Sequence, residues 1–343
     1  MSENKRNGRH GKKQNLFQKA APVLIGAVVL LLAAVALYGV FQANRGKLSA
    51  NQTGNAQVKK EQAPSSDTTK DQEEKTVASE TTTSKTNVND EDVEAATKDS
   101  KKLRVAKGKN HNEAAKDYAY DPKWVQDVVD GRAVNDGQRL CFLTFDDGVN
   151  HEVTPQILDV LKKEQVHATF FVVGNTIGDK TKDILERQIS EGNSIGIHSF
   201  DHDYDKLYPG RTADSSRIAK EAEDTQAALK KQLGQDFQTT SWRYPGGHMS
   251  WHNMVQADDA LAAQGLHWVD WNAMSGDAEP ASTRPKTADE MVAYQEKSIT
   301  EYPDVKLRVV LMHDAADKQV TVAALPRIIQ FYRDKGFKFG ILE

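Results

Sequence analysis

RLCFLTFDDG, residues 139–148, decides how the rest of the chain is read. From Leu140 to Phe145 the run is apolar apart from Thr144, the pattern of a strand buried on both faces. It stops in two adjacent carboxylates, Asp146 and Asp147, with a glycine behind them. Like charges at neighbouring positions repel. A plain Asp-Asp-Gly turn is one explanation. A site at the end of a buried strand is the other, and what lies outward along the chain decides between them.

Short apolar runs alternate with helical patterns from Arg139 onward. Strands are expected at 139–145, 168–173, 194–197, 239–243, 267–271, 308–312 and 337–340, with helices at 154–164, 180–190, 214–233, 253–264, 287–300 and 321–335. Pro155 suits a first helical turn, and the glycines of GLHWVD and KGFKFG sit where a helix would end before a strand. Seven strands alternating with helices point to an α/β fold, a parallel sheet closed or nearly closed as a (β/α) barrel. Chemistry in such barrels gathers at the C-terminal ends of the strands.

The polar residues obey that rule. Strand one ends in Asp146 and Asp147, strand three runs into HSFDH with His198 and His202, and strand four into RYPGG with Arg243. Strand five leads to DWNAMSGD with Asp270 and Asp277, and strand six to LMHD with His313 and Asp314. Two histidines and one carboxylate make a metal site that keeps a position open. Successive side chains diverge, so one aspartate can bind the cation while its neighbour takes a proton from a nearby water. The cation also offsets the repulsion between the two. His313 fits a general acid, with Asp277 as the carboxylate that raises its pKa. Arg243 can orient and ionise the base, and the Gly246 N–H can point at an oxyanion. HEVTP at 151 is not a zinc-protease motif, and neither a GxSxG elbow nor a phosphate-binding glycine loop occurs.

The remaining chain is of another kind. Residues 20–41 run 22 positions without a charge, preceded by Lys5, Arg6, Arg9, Lys12, Lys13 and Lys19 against Glu3 alone. That predicts a basic cytoplasmic tail over 1–19 and an uncleaved transmembrane anchor over 20–41, with the rest outside; a cleaved signal peptide is the rival. Residues 42–117 hold no Phe, Trp or Tyr and read as a disordered extracellular stalk. A folded domain is expected over 118–343. The net charge of −4 gives no sign of nucleic-acid binding, and the single Cys141, which excludes an intrachain disulfide, reads as a core residue.

From about residue 139 the chain resembles the polysaccharide deacetylases of carbohydrate esterase family four, on TFDDG, HSFDH, R-x-P and L-x-H taken in order. The resemblance implies a distorted barrel and metal-dependent removal of acetyl groups from glycans. It implies Asp146 as base, Asp147, His198 and His202 as ligands of a divalent metal, and His313 as acid. Zinc is the expected ion, with cobalt, manganese or nickel as substitutes. Arg243 resembles the arginine that positions the base. Leu311 is expected in an acetyl pocket and Trp271 along the groove, with Tyr244 and Gly246 also facing substrate. The chain departs from the family in two places. Gly246 stands where many members carry an aromatic, and an Asp-Trp pair appears as Asp277-Ala278, which leaves Asp270 as a rival partner for His313. RYPGGH and DWNAMSGDA look most like cell-wall deacetylases of streptococci and related Gram-positive bacteria. The expectation is a peptidoglycan N-acetylglucosamine deacetylase held at the membrane. The alternatives are a deacetylase of another glycan (poly-N-acetylglucosamine, chitin oligomers, an O-acetylated polymer) and a wall-binding protein without catalysis.

Overall fold

The Leu140–Phe145 run forms all but the last residue of β2 (Leu140–Asp146), every residue of which is buried. Its two faces serve two cores. Leu140 and Phe142 point into a small inner cluster with Phe171, Val269, Leu307, Val309 and Leu342. Cys141, Leu143 and Phe145 pack outward into the larger cluster beneath the helices. That double burial is why no polar residue interrupts the strand before Thr144. The structure, a computed structural model, describes residues 104–343.

β8 (Leu307–His313) runs parallel to β2 along its whole length and pairs Asp146 with His313. On the other side of β2, β3 (Thr169–Val172) pairs its second half and β9 (Lys338–Leu342) its first. β4 (Ser194–Ile197), β5 (Ser241–Trp242) and β6 (His267–Trp268) continue from β3, while β7 (Ala273–Met274) borders β8 and β1 (Ala119–Tyr120) borders β9. All registered pairs are parallel. The barrel path is β7–β8–β2–β3–β4–β5–β6, seven strands whose two ends do not pair with each other.

The expected helices are α2 (Thr154–Glu164), α3 (Lys182–Ser190), α5 (Ser215–Leu233), α6 (Met254–Ala262), α7 (Ala288–Glu301) and α8 (Gln319–Asp334). Gly265 and Gly336 follow α6 and α8 at φ of 76° and 74°, the left-handed turn that a glycine after a helix permits. α4 (Tyr204–Leu207) is a single turn, and α1 (Pro122–Val129) packs on both β6 and β8 across the opening of the barrel.

Two expectations need correction. The seventh barrel strand is β7, not the 337–340 segment, because β9 enters as a wedge against the lower half of β2 and carries β1 on its far side. Packed structure also begins before residue 118. Asn110 is fully buried, and its side-chain NH₂ donates to the Ile195 carbonyl, Thr239 Oγ1 and the Leu342 carbonyl, tying three strand regions together. The cytoplasmic tail, the anchor over 20–41 and the stalk up to residue 103 lie outside the described residues. Among the described residues no helix is long and apolar enough to cross a membrane.

Candidate active site

The inward side of β2 carries Thr144 and then Asp146, two residues on, at the C-terminal mouth. Asp146 is 2% exposed. Arg243, just past β5 and fully buried, places Nη1 at 2.9 Å from Asp146 Oδ1 and 2.6 Å from Thr144 Oγ1. Its Nε donates to the Val269 carbonyl at 2.9 Å, and its guanidinium lies 4.1 Å from the centre of the Phe171 ring. The arginine therefore has one orientation available. Burial raises the Asp146 pKa above the ordinary carboxylate value, against the opposing pull of Arg243 and His313. The result is an anion held in place and short of solvent, which is the condition of a base.

Asp147 turns the other way. Its backbone sits at φ 79°, and the ligand atoms of Asp147, His198 and His202 all lie within 4.8 Å of one another. His198 Nε2 is 3.7 Å and His202 Nε2 3.5 Å from Asp147 Oδ1. Bonds of 2.0–2.1 Å at a tetrahedral ion imply ligand–ligand edges of about 3.3 Å, so the three donors are gathered closely enough to converge on one small divalent ion. His198 Nδ1 lies 2.9 Å from the Arg243 carbonyl. A carbonyl only accepts, so Nδ1 carries the proton and Nε2 presents its lone pair to the site. Burial, with His202 adding to it, pushes the His198 pKa down to about 3 and keeps the ring neutral. Asp146 Oδ2 stands 3.8 Å from His198 Nε2, beside the cluster rather than in it.

Ser199 and His202 also have left-handed backbones, at φ 65° and 54°. The HSFDH loop is braced to hold them. The Ser199 hydroxyl accepts from the His202 N–H, and buried Glu221 on α5 accepts from the Phe200 N–H at 2.8 Å.

His313 ends β8 across the register from Asp146. Its Nδ1 lies 2.8 Å from Asp277 Oδ1, and its backbone N–H donates to Asp277 Oδ2 at 2.8 Å. Thr321 on α8 donates to Oδ2 as well. Burial alone would lower the His313 pKa, but the Asp277 charge overrides it and lifts the value to about 9. The same pair holds Asp277 down to about 2 in spite of burial. Asp270 is committed elsewhere: both its carboxylate oxygens accept from the His248 backbone N–H, at 3.1 and 3.0 Å.

Leu311 precedes His313 on the inward face of β8 and is 8% exposed. Gly246 and Gly247 both have positive φ, 78° and 81°. A Cβ on Gly247 would meet Trp271 at 2.8 Å, so the ring of Trp271 lies flush on this loop. Tyr244 departs from expectation. Its side chain is fully buried, and the hydroxyl donates to Asp258 Oδ1 at 2.9 Å, which makes it a core residue rather than a substrate contact. Asp258 also holds His248 Nε2 at 2.9 Å, and the His248 ring stacks on Trp268.

Asp314 is the residue whose position sequence reasoning leaves unassigned. It is fully buried behind the Asp146–Gly148 segment, and burial pushes its pKa up to about 7. A polar residue after a strand-end histidine carries no signal of its own.

The sequence profile of the family described as "Polysaccharide deacetylase" matches residues 133–266. The solved structure of a Streptococcus mutans carbohydrate esterase family four enzyme is 50% identical, with a TM-score of 0.67, over 71% of this chain and 99% of that one. The chain belongs to the polysaccharide deacetylase family. The catalytic domain of a peptidoglycan N-acetylglucosamine deacetylase from Eubacterium rectale is 30% identical, with a TM-score of 0.51, over 61% of this chain and 91% of that one. A bifunctional xylanase/deacetylase from Pseudobutyrivibrio xylanivorans is 30% identical over 204 residues, 59% of this deacetylase-family chain, which spans 29% of that relative's length.

Proposed function

We propose that the protein hydrolyses the N-acetyl group of N-acetylglucosamine residues in peptidoglycan, yielding acetate and a free amine. One observation carries the reading: a buried aspartate pinned by Arg243 stands beside an Asp-His-His cluster, facing a histidine whose Nδ1 is held by Asp277. Asp147, His198 and His202 would hold a divalent ion, zinc best matching one oxygen and two imidazole donors. Such an ion supplies Lewis-acid polarisation of the acetyl carbonyl and acidifies a water beside it.

The chain's own groups do the remaining work. Asp146 accepts the proton of the attacking water, and Arg243 fixes the carboxylate that accepts it. Exposed Gly246 lends its backbone N–H to the developing oxyanion. His313 gives its proton to the departing nitrogen as the carbon–nitrogen bond breaks, and Asp277 steadies the imidazolium before that transfer. Leu311 bounds the space for the acetyl methyl group and Trp271 a wall of the groove.

The name of the Eubacterium rectale relative supports peptidoglycan as the glycan. So does the charge-free 20–41 segment with its basic flank, which suits a membrane-held enzyme whose domain faces the wall. Free amines would make the wall more cationic and a poorer lysozyme substrate. The test is acetate release by the full-length chain from peptidoglycan and from chitooligosaccharides, with and without a chelator. Release from peptidoglycan, stopped by chelation and restored by zinc, is the expected result. Release from chitooligosaccharides alone redirects the substrate, and no release by metal-loaded protein from any acetylated glycan overturns the reading.

A further inference from the structure

Asp147 binds from a backbone conformation that an L-residue adopts at a cost of roughly 1–3 kcal/mol. Such a conformation persists only if its surroundings impose it. We infer that Asp314 is the positioning residue that imposes it, holding the Asp147–Gly148 backbone so that the Asp147 carboxylate meets the two histidines. The inference rests on the functional reading above and adds a residue which that reading does not use.

Three contacts support it. Asp314 Oδ2 accepts from Thr154 Oγ1 at 2.6 Å, which fixes the carboxylate to the first turn of α2. The Asp314 N–H donates to the Asp146 carbonyl at 3.0 Å, joining the start of the Asp146–Gly148 segment to β8. The carboxylate presses so closely on Gly148 that a Cβ there would lie 2.2 Å from Oδ2. Gly148 does not have a positive φ, so this close approach, and not a turn, excludes a side chain. Asn150 completes the clamp by donating from Nδ2 to the Asp314 carbonyl at 2.5 Å. The carboxylate is fully buried, lies outside the Asp147, His198 and His202 cluster, and acts through the backbone of Asp147. Because Asp314 directly follows His313, the strand end that carries the acid is tied to the loop that carries the base and the ligand.

Zinc affinity tests the assignment. Apo full-length protein is titrated with zinc against a chromogenic chelator, and kcat and KM for acetate release are measured at saturating zinc. Asp314→Ala should weaken zinc binding by about 10- to 100-fold, the usual effect of losing a group that supports a ligand. It should lower kcat while leaving KM close to wild type. Asp314→Asn retains one carbonyl oxygen to accept from the Thr154 hydroxyl and should recover most of the affinity. Thr154→Val should shift affinity in the direction of the alanine variant. An alanine variant that folds and binds zinc within about twofold of wild type overturns the assignment, since a supporting group is worth 10-fold or more. If that variant does not fold, Asp314→Asn and Thr154→Val decide, and wild-type affinity in both overturns it. Wild-type protein that binds no zinc and releases no acetate would instead remove the functional reading itself.

Discussion

Asp277 holds His313 by two bonds at once, Oδ1 to the ring Nδ1 and Oδ2 to the backbone N–H, each at 2.8 Å. Two anchor points fix the ring plane as well as the charge. The acid is therefore delivered with its free nitrogen, Nε2, turned away from Asp277.

In the proposed reaction that pair should set the alkaline limit of activity. The His313 pKa is lifted to about 9, so the acid is loaded at neutral pH and empties as pH rises through that value. The kcat/KM profile should fall on its alkaline side. A cation in the neighbouring cluster repels the imidazolium and moves the limb lower in wild type and variants alike. Asp277→Asn removes the stabilising anion and leaves burial, which lowers the pKa. The limb should then move to lower pH by roughly 1–3 units, the range for an opposite charge at contact. An unmoved limb would show that another group supplies the proton.

Asp146→Asn separates base from ligand. Asp146 stands outside the Asp147, His198 and His202 cluster, so zinc affinity should stay near wild type. Turnover should drop by about 10²- to 10⁴-fold, the usual contribution of a positioned general base. Isothermal titration with zinc and acetate release measure the two halves. Near-normal turnover would transfer the role of base to another group.

How much of this was legible in the chain depends on burial. β2 and β8 are readable because both of their faces are covered, which demands largely apolar runs, with Thr144 and Arg308 as the polar members. The strand-end residues then follow from the barrel rule, and Asp146, Asp147, His198, His202, Arg243 and His313 meet at one mouth as that rule requires. β7 is hidden because its two residues, Ala273 and Met274, make no period of their own and are defined only by pairing with β8. Asp277 and Asp270 were hard to separate for the same reason: β7 carries one of them away from the end of β6. Asp314 and Asn110 are illegible because a buried polar residue is recognisable only from its partners, which come from distant parts of the chain. Tyr244 misleads in the opposite way. It adjoins the site in sequence, yet the alternation that points Arg243 inward sends Tyr244 outward to Asp258.

Arg243→Met asks what the arginine does for stability. Both partners are buried, and the substitution leaves Asp146 as an isolated charge in the interior. Removing one partner of a buried pair costs roughly 3–5 kcal/mol. Without Arg243 the Asp146 pKa rises further. An acid whose folded pKa lies above its unfolded one destabilises the fold when ionised, so the loss should be largest at neutral pH and shrink as pH falls and Asp146 protonates. Denaturant unfolding of the metal-free protein at two pH values tests this, and an equal loss at both would show that packing against Phe171, not charge, is what the arginine contributes.

Metal removal gives the remaining test, one that needs no substrate. A ligand that binds only the folded state raises stability by RT ln(1 + [L]/Kd), about 2.7 kcal/mol at one hundred times Kd. Zinc should therefore raise the Tm of chelator-treated wild-type protein in a concentration-dependent way. His198 is the ligand to remove, because its Nδ1 bond to the Arg243 carbonyl aims Nε2 into the cluster and burial keeps the ring neutral. His198→Ala should abolish both the zinc-dependent rise and the activity. His202, more exposed and without that bond, should leave a weaker but measurable rise when changed to alanine. If zinc raised the Tm of His198→Ala as much as that of wild type, the ion would be bound elsewhere, and the three-residue cluster would not be its site.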